Sequence, residues 1–268
     1  MNEDEDEAFV RAIVDAPGDD TPRLVYADWL DDRDDPRGPY LRAEREAVQG
    51  GNIARLRELA VDLDPVWVAR VSLPPVGVCI EEAEVTDRGP PVTLADIAAA
   101  ACRLDGTLPS DYRAFLLNYN GGLIRRVWGE VDGEIIHTGA DLWLYPLRPN
   151  SVAEKRGTLD GEAARHRERV NEPVSYDDGW LVPDIADGFL RHTRVGYLMT
   201  GDWVLLGVRE PDIGWVRTFH DINMLGEHHR AAESRRELPT FAEFLARFLW
   251  PPPPLPPPAR PVFDDCPF

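Results

Sequence analysis

The chain has 268 residues, and 43% of them are hydrophobic, which is enough for one large or two modest domains with real cores. Its formal net charge of −19 disfavours direct binding to DNA or RNA, because phosphate contacts need clustered Lys and Arg side chains. The same charge favours a basic protein partner through electrostatic steering, although a need for solubility alone would also explain it.

The sequence predicts neither a membrane span nor a secretory signal. No continuous apolar run approaches the length of a transmembrane helix, and residues 1–7 are acidic where a signal peptide needs positive charge. Three distant cysteines (Cys79, Cys102 and Cys266) fit neither a disulfide framework nor a zinc site, and Cys102 is expected to be a buried thiol. We therefore expect a cytoplasmic protein in a reducing compartment.

Residues 1–71 are predicted to form a small all-helical unit. The first helix is expected to stop at Pro17 and Gly18. The second is expected to start with Thr21 as N-cap, and Pro65 to break the fourth. The predicted apolar faces of the four helices are Phe9, Val10, Ile13 and Val14; Leu24, Val25, Trp29 and Leu30; Tyr40, Leu41, Glu44 and Val48; and Ile53, Leu56, Ala60 and Leu63.

A proline-rich connector is predicted over residues 72–92, with a candidate edge strand at 78–80. Beyond it, Thr93 and Asp96 have the spacing of a capping pair for a helix that ends near residue 104. This change of pattern marks the start of a second unit.

The most informative stretch is a short amphipathic helix within residues 108–122. Pro109 is placed in its first turn, where a missing N–H costs nothing. Asn120, Gly121 and Gly122 tolerate the positive φ angles that end a helix. Its apolar stripe consists of Tyr112, Phe115, Leu116 and Tyr119. We expect this stripe to pack on a sheet and not to bind a partner.

Short strands are predicted to follow, at residues 123–128, 134–137, 142–147, 195–199, 203–208 and 215–219. Residues 150–180 are expected to be an insertion or long loop with a helix at 162–170. A capping box at Thr240 and Glu243 opens a last helix whose predicted buried face is Phe241, Phe244, Leu245 and Phe248. Residues 250–268 are predicted to be a polyproline II tail.

The predicted fold is α+β, with a small all-helical unit followed by a mixed, largely antiparallel sheet flanked by helices.

Residues 93–249 resemble the SUKH superfamily, on the strength of the 108–122 helix, a glycine–aspartate turn and the closing helix. The family-signature residues are Leu108, Pro109, Tyr112, Phe115, Leu116, Asn120, Gly121, Gly122, Gly201 and Asp202. The resemblance implies a non-catalytic module that binds proteins. Most bacterial members are understood as immunity proteins against toxins, often nucleases, whereas fungal members regulate cell-wall synthesis as interaction hubs. The 150–180 insertion departs from the shorter family pattern.

The N-terminal unit, at about residues 5–71, resembles a repeat-companion domain that is abundant in planctomycete and myxobacterial proteins. The matching residues are Phe9 and the strings at 22–30, 35–38 and 40–42, of which residues 23–30 are the most specific. Such units usually accompany large multi-module architectures, which favours a regulatory or scaffolding role.

Two clusters of side chains do not have the spacing of metal sites, and no metal is expected. The acidic residues Asp28, Asp31, Asp32, Asp34 and Asp35 lack the EF-hand pattern, so a solvated helix end or loop is expected, in which Asp28 either caps the helix or pairs with Arg23 or Arg33. An exposed loop is likewise expected for His220, Asp221, Glu227, His228 and His229, because adjacent histidines diverge in extended backbone.

No catalytic or cofactor-binding residue is assigned, because no phosphate loop, nucleophile elbow or Cys/His pair is found, and no enzyme is expected. Trp143, Trp203 and Trp215 lie on predicted strands, where core packing is expected, although an exposed one would anchor a partner. We predict an immunity protein that occludes a basic toxin; the alternative is a regulatory scaffold. The candidate partner-binding residues are Glu130, Asp132, Glu134, Asp202 and Asp212.

Overall fold

A computed structural model of the chain shows an α+β architecture, in which helices come first and an antiparallel sheet with helices follows. This is the predicted fold class. The structure describes residues 3–50, 53–72, 85–125, 128–131, 134–137, 141–148, 157–171, 191–199, 201–220, 237–238 and 240–249. The predicted tail at 250–268 lies outside these residues.

In the described residues before 72, five helices share one hydrophobic cluster that includes Val10, Tyr26, Leu30 and Leu56. This cluster is separate from the larger core of the sheet. The five helices are α1 (Glu3–Asp15), α2 (Asp20–Asp31), α3 (Arg37–Val48), α4 (Ile53–Ala60) and α5 (Pro65–Val71).

Two helix starts differ from the prediction. The N-cap of α2 is Asp19, not Thr21, because the Asp19 carboxylate accepts a hydrogen bond from the Thr21 amide at 2.8 Å. Pro65, which was predicted to break the fourth helix, is the first residue of α5. The Asp64 side chain caps α5 by accepting a hydrogen bond from the Val66 amide at 3.1 Å. Proline suits the first helical position because the missing N–H would have no partner there.

The buried faces of these helices are also less apolar than predicted. In α2 the buried residues include Arg23 and Tyr26, whereas Val25 is 50% exposed. Val14 and Val48 are likewise exposed. The apolar pattern alone misplaced the α2 face, because Arg23 and Tyr26 satisfy their polar ends internally.

The seven-residue helix α5 lies between the two cores. Trp67, Val68 and Val71 belong to the N-terminal cluster, whereas Ala69 packs against the core of the sheet. Helix α5 packs along α7 (Ser110–Tyr119), on which Ala114 is fully buried. The N-terminal helices are therefore joined to the rest of the protein by direct packing.

Seven strands form one antiparallel sheet in the order β1-β2-β5-β6-β7-β8-β9, while β3 and β4 form a separate hairpin. The strands are β1 (Val85–Thr86), β2 (Gly122–Ile124), β3 (Trp128–Val131), β4 (Glu134–His137), β5 (Leu142–Leu144), β6 (His192–Leu198), β7 (Asp202–Gly207), β8 (Val216–His220) and β9 (Glu237–Leu238). Every described pairing is antiparallel.

Several strand boundaries depart from the prediction; β5, for example, ends at Leu144 and not at residue 147. The single strand expected at 123–128 contributes to both β2 and β3. Strand β6 starts at His192, three residues early, because the backbone of its polar start pairs with the end of β7. Strands β1 and β9 are the two edges of the described sheet, and the predicted edge strand at 78–80 lies outside the described residues.

Helices α6 (Leu94–Leu104), α7, α8 (Leu159–Asn171) and α9 (Phe241–Leu249) complete the fold. Both hydrogen bonds of the Thr93–Asp96 capping box are present, and Thr240 Oγ1 accepts from the Glu243 amide at 3.0 Å. As predicted, the buried residues of α9 include Phe241, Phe244 and Leu245, whereas the side chain of Phe248 is not described.

The helix predicted at 162–170 is present and is longer than predicted, because it begins at Leu159 and ends at Asn171. Helix α8 packs on β6 and α6, and Leu159 and Ala163 are buried in the main core. These two residues are one helical turn apart, so they cover a narrow strip of the sheet although the helix as a whole is strongly charged.

Candidate functional site

The signature helix α7 directs its apolar stripe into the core. Tyr112, Phe115 and Leu116 are fully buried, and the Tyr112 ring meets the Phe241 ring edge-on at 4.8 Å. The Tyr112 hydroxyl has no hydrogen-bond partner among the described residues, and burial raises the pKa of Tyr112 far above its ordinary value. These side chains build the core and do not reach a partner.

The end of α7 is held by the Asn120 side chain. Asn120 adopts the left-handed conformation with φ 48°, and its Oδ1 accepts a hydrogen bond from the Leu147 amide at 2.8 Å. Its Nδ2 donates to the carbonyl oxygens of Pro90 at 2.6 Å and Arg148 at 3.2 Å. One amide thus joins α7, the connector before α6 and the segment after β5.

The two glycines that follow have no room for a side chain. A Cβ on Gly121 (φ 76°) would lie 2.7 Å from the Leu144 carbonyl oxygen, and one on Gly122 (φ 127°) would lie 2.7 Å from that of Thr86. Both positions need glycine, because the φ angle is positive and a backbone carbonyl oxygen lies where a side chain would be. They form a packed helix end and not a ligand cradle.

The other signature residues also occupy structural positions. Leu108 is buried, and Pro109 is the N-cap residue of α7 and not part of its first turn as predicted. Gly201 has φ 105° in the turn from β6 to β7, where its amide donates to the Leu198 carbonyl at 2.9 Å. Asp202, which is half-buried, then begins β7 opposite His220.

An aromatic row crosses one face of the sheet. Trp143 lies directly opposite Tyr197, Tyr197 opposite Trp203, and Trp203 opposite Phe219. Residues directly opposite each other on neighbouring strands share a face, so the side chains of Trp143, Tyr197 and Trp203 stand on one side of the sheet. Trp143 is fully buried, and Tyr197 and Trp203 are half-buried.

On the same face, Arg194 lies between aromatic rings and a buried acid. Its guanidinium carbon is 4.5 Å from the Trp203 ring centroid and 5.6 Å from that of Tyr145. Its Nη1 is 3.1 Å from Glu162 Oε2, and Glu162 is only 4% exposed. Arg165 also pairs with Glu162. This network ties α8 to β6.

Asp212, in the connection between β7 and β8, lies within a second ionic cluster. Its Oδ2 accepts from Arg191 Nε at 2.7 Å and lies 3.9 Å from His192 Nδ1. Burial acts to raise the pKa of the Asp212 carboxyl, but the hydrogen bond and charge of Arg191, with the nearby His192 and Arg217, outweigh it and hold that pKa below its usual value. Asp212 is therefore a structural anion.

Of the five acidic residues predicted to contact a partner, Asp202 and Asp212 have described side chains, and the set stays a prediction. The Asp212 side chain is only 14% exposed and is paired to Arg191. Glu130 and Glu134 lie on β3 and β4, although their side chains are not described, and Asp132 lies outside the described residues.

The structure describes the acidic cluster at 28–35 but not most of the cluster at 220–229. Asp28 and Asp31 both bind Arg42, with Arg42 Nη2 2.6 Å from each carboxylate, so the pairing of Asp28 with Arg23 or Arg33 was wrong. Among the described residues there is no group of three metal-ligating side chains. The cluster predicted at 220–229 falls outside them, except for the backbone of His220.

Cys102 is exposed and not buried as predicted. It lies on α6, where the buried residues are Ile97, Ala100 and Leu104. Cys79 and Cys266 lie outside the described residues.

The residues in the N-terminal strings that carry the repeat-companion resemblance contact one another inside the helical unit. The Tyr26 hydroxyl donates to Asp6 Oδ1 at 2.5 Å and accepts from Arg37 Nη1 at 3.1 Å and Trp67 Nε1 at 3.3 Å. Arg23 donates to the carbonyl oxygens at the end of α5 and before α2. These contacts connect α1, α2, α3 and α5.

Sequence reasoning missed the Glu162–Arg194 pair. The only local signal is a polar residue within the β6 strand, and its partner is 32 residues away on a helix. No spacing rule connects a strand residue to a helix residue at that distance along the chain, so the pair becomes visible only in the fold.

The sequence profile of the SMI1 / KNR4 family (SUKH-1) matches residues 91–247, which is more than half of the chain. The chain belongs to this family. Its SUKH-1 domain contains the signature helix, the Asn120 contacts and the aromatic row described above. Membership supports a protein-interaction module of the immunity type. No curated protein sequence matches the chain significantly. Among the described helices, none has the length and apolar composition that crossing a bilayer requires.

Proposed function

We propose that this chain is an immunity protein that binds a basic toxin domain and blocks it by occlusion. The observation that carries the proposal is the SUKH-1 match over residues 91–247. Bacterial members of the family are understood as immunity proteins, and often their toxins are nucleases. A nuclease surface is basic because it must hold phosphate groups.

The internal use of the signature residues supports a role in binding without catalysis. Tyr112 is fully buried in the core, and the side chain of Asn120 makes hydrogen bonds to backbone groups. Neither is available to a substrate. The protein would act through the shape and charge of its surface, and no cofactor is proposed.

The charge distribution supports a basic partner and gives the N-terminal helices a share in attracting it. Residues 1–71 contain 18 acidic and nine basic residues, a net charge of −9, whereas residues 91–249 carry a net charge of −6. Because α5 packs on α7, the more acidic unit is held beside the SUKH-1 domain. An acidic field raises the rate at which a basic protein is captured.

We further propose a cytoplasmic location, where such a protein meets a toxin delivered from a neighbouring cell. The N-terminal unit is proposed to be the repeat-companion domain that residues 5–71 resemble. Its buried polar contacts around Tyr26 and Arg23 give it a defined structure of its own.

The test is co-expression of the full chain with each toxin gene that adjoins it. We expect growth to be rescued by one of them, and not by an unrelated acidic protein of similar net charge. Failure against every adjoining toxin would contradict the proposal, and a cell-wall-synthesis neighbourhood would favour a regulatory scaffold instead.

Titrating the toxin with increasing amounts of the chain distinguishes occlusion of the toxin from its catalytic inactivation. A protein that occludes its toxin must be present in a one-to-one amount, because each molecule blocks one toxin. Toxin activity measured against increasing amounts of the chain should therefore fall to zero near equivalence. Complete inactivation by a small fraction of an equivalent would indicate an enzyme.

A further inference from the structure

Trp215 is the one exposed aromatic residue among those whose burial the structure describes, with 36% of its surface accessible. It ends the connection between β7 and β8. Exposed tryptophan is costly to maintain and is the residue type most enriched in the energetic centres of protein interfaces. Its surroundings therefore bear on where a partner binds.

The other tryptophans with described side chains are all engaged. Trp29 packs against Phe9 with the two rings tilted by 50° and carries Arg33 over its ring at 3.9 Å, and Trp67 donates a hydrogen bond to Tyr26. Trp203 faces Arg194, and Trp143 is fully buried. Within the described part of the chain, no aromatic ring, cation or hydrogen-bond acceptor engages the Trp215 indole.

The backbone that carries Trp215 is fixed by a dense set of hydrogen bonds. The Gly207 amide donates to the Trp215 carbonyl at 2.8 Å, and the Trp215 amide donates to the Asp212 carbonyl at 3.0 Å. The connection folds directly over Gly207, where a Cβ would lie 1.7 Å from the Asp212 carbonyl oxygen. Glycine at 207 is therefore required for this loop conformation.

Two side-chain pairs hold the same loop to neighbouring elements. Arg209 Nε donates to the Asp105 carbonyl at the end of α6 at 2.9 Å, and Arg209 Nη2 is 3.2 Å from the Asp105 carboxylate. Asp212 is paired to Arg191 at 2.7 Å at the start of β6. The loop thus presents Trp215 in an ordered position, and ordering it on binding would cost little entropy.

We propose that Trp215 is the anchor of the partner interface, and that it stacks against a Lys or Arg side chain of a basic protein. The indole face is the strongest aromatic acceptor for a cation. An exposed carboxylate of the same loop, Glu210, favours that cation, and the chain as a whole is strongly acidic. The inference rests on the proposed function, because it takes its partner from there.

The experiment measures the affinity of the full chain for the adjoining toxin domain, made inactive by substitution of a catalytic residue. Trp215→Ala is expected to weaken binding about 30-fold, mostly through faster dissociation. Trp215→Arg, which puts a cation where the partner's cation would lie, should weaken it further. Met199→Ala is the matched control, because Met199 is 50% exposed at the opposite end of β7 and should bind as the wild type does.

The outcomes separate this inference from the function on which it rests. If the wild type binds and both Trp215 variants bind equally well, the anchor is overturned while the immunity function stands. An equal loss in Met199→Ala would also overturn it, as a general effect of exposed apolar side chains. If the wild type binds no adjoining toxin, both the Trp215 anchor and the immunity function are contradicted. Melting temperatures of the variants show that the fold is kept.

Discussion

Asn120 accepts a hydrogen bond from the Leu147 amide at 2.8 Å, although the two residues are 27 positions apart in the chain. The same side chain donates to the carbonyls of Pro90 and Arg148. The asparagine of the family signature is therefore a brace between three segments. Its left-handed backbone, with φ 48°, aims the amide at all three groups.

Asn120→Asp is expected to destabilise the protein by about 2–4 kcal/mol. The carboxylate cannot donate, so the carbonyls of Pro90 and Arg148 would face a negative charge and lose their hydrogen bonds. The backbone conformation is not the cause, because Asp105 adopts a similar one at φ 52°. Urea unfolding measures the change. The control Gln49→Glu makes the same chemical change at an exposed helix end and should cost far less.

Gly121→Ala is expected to cost about 3 kcal/mol or more, from a strained φ and a direct clash with backbone atoms. The Cβ would lie 2.6 Å from the Pro146 nitrogen. Gly50→Ala separates the two causes, because Gly50 also has a positive φ (92°) but nothing within 4 Å of the new Cβ. It should cost only about 1 kcal/mol. Equal losses in thermal or urea unfolding would show that packing at Gly121 is unimportant.

Glu162→Gln is expected to destabilise the protein by about 3 kcal/mol, because it leaves the partly buried guanidinium of Arg194 without its counter-charge. The comparison is Asp160→Asn, on the same helix, which removes a more exposed pair with Arg103 and should cost about 0.5 kcal/mol. Urea unfolding measures both variants. A small effect of Glu162→Gln would mean that α8 is held to the sheet by its apolar contacts alone.

Asp212→Asn is expected to lower stability at pH 7 by about 1–2 kcal/mol, through loss of the ion pair with Arg191. The pKa of Asp212 lies below its ordinary value in the folded protein, so the charged form stabilises the fold. That contribution is complete above the unfolded-state pKa of about 3.9 and is lost as the pH falls through the lower folded-state pKa. Melting temperatures of wild type and variant should therefore converge in strong acid. A constant difference would contradict this assignment.

The helices and strands of the SUKH-1 domain followed from the sequence where a local rule controls them. The capping pair Thr93 and Asp96 fixed the start of α6, and Thr240 with Glu243 marked the start of α9. Each signal depends on residues three positions apart, so no tertiary information is needed.

Elements that depend on distant partners were not predictable in this way. Arg23 and Tyr26 are buried because they meet groups on other helices, and a polarity pattern assigns such residues to the surface. Helix α8 carries few apolar residues, and its contacts with the sheet include the Glu162–Arg194 pair, whose members are 32 positions apart. In the candidate site, the sequence gives no sign that Asp212 pairs with Arg191, because the two residues are 21 positions apart.

The position of α5 has a practical consequence for anyone who trims the chain. A protein cut to the family match, starting at residue 91, would lose the helix that packs along α7, and water would reach the side on which Ala114 is now fully buried. A truncation meant to isolate the family domain should carry Trp67 and its neighbours with it. Those residues in turn belong to the cluster of the first four helices, so the smallest well-behaved fragment extends almost to the N-terminus.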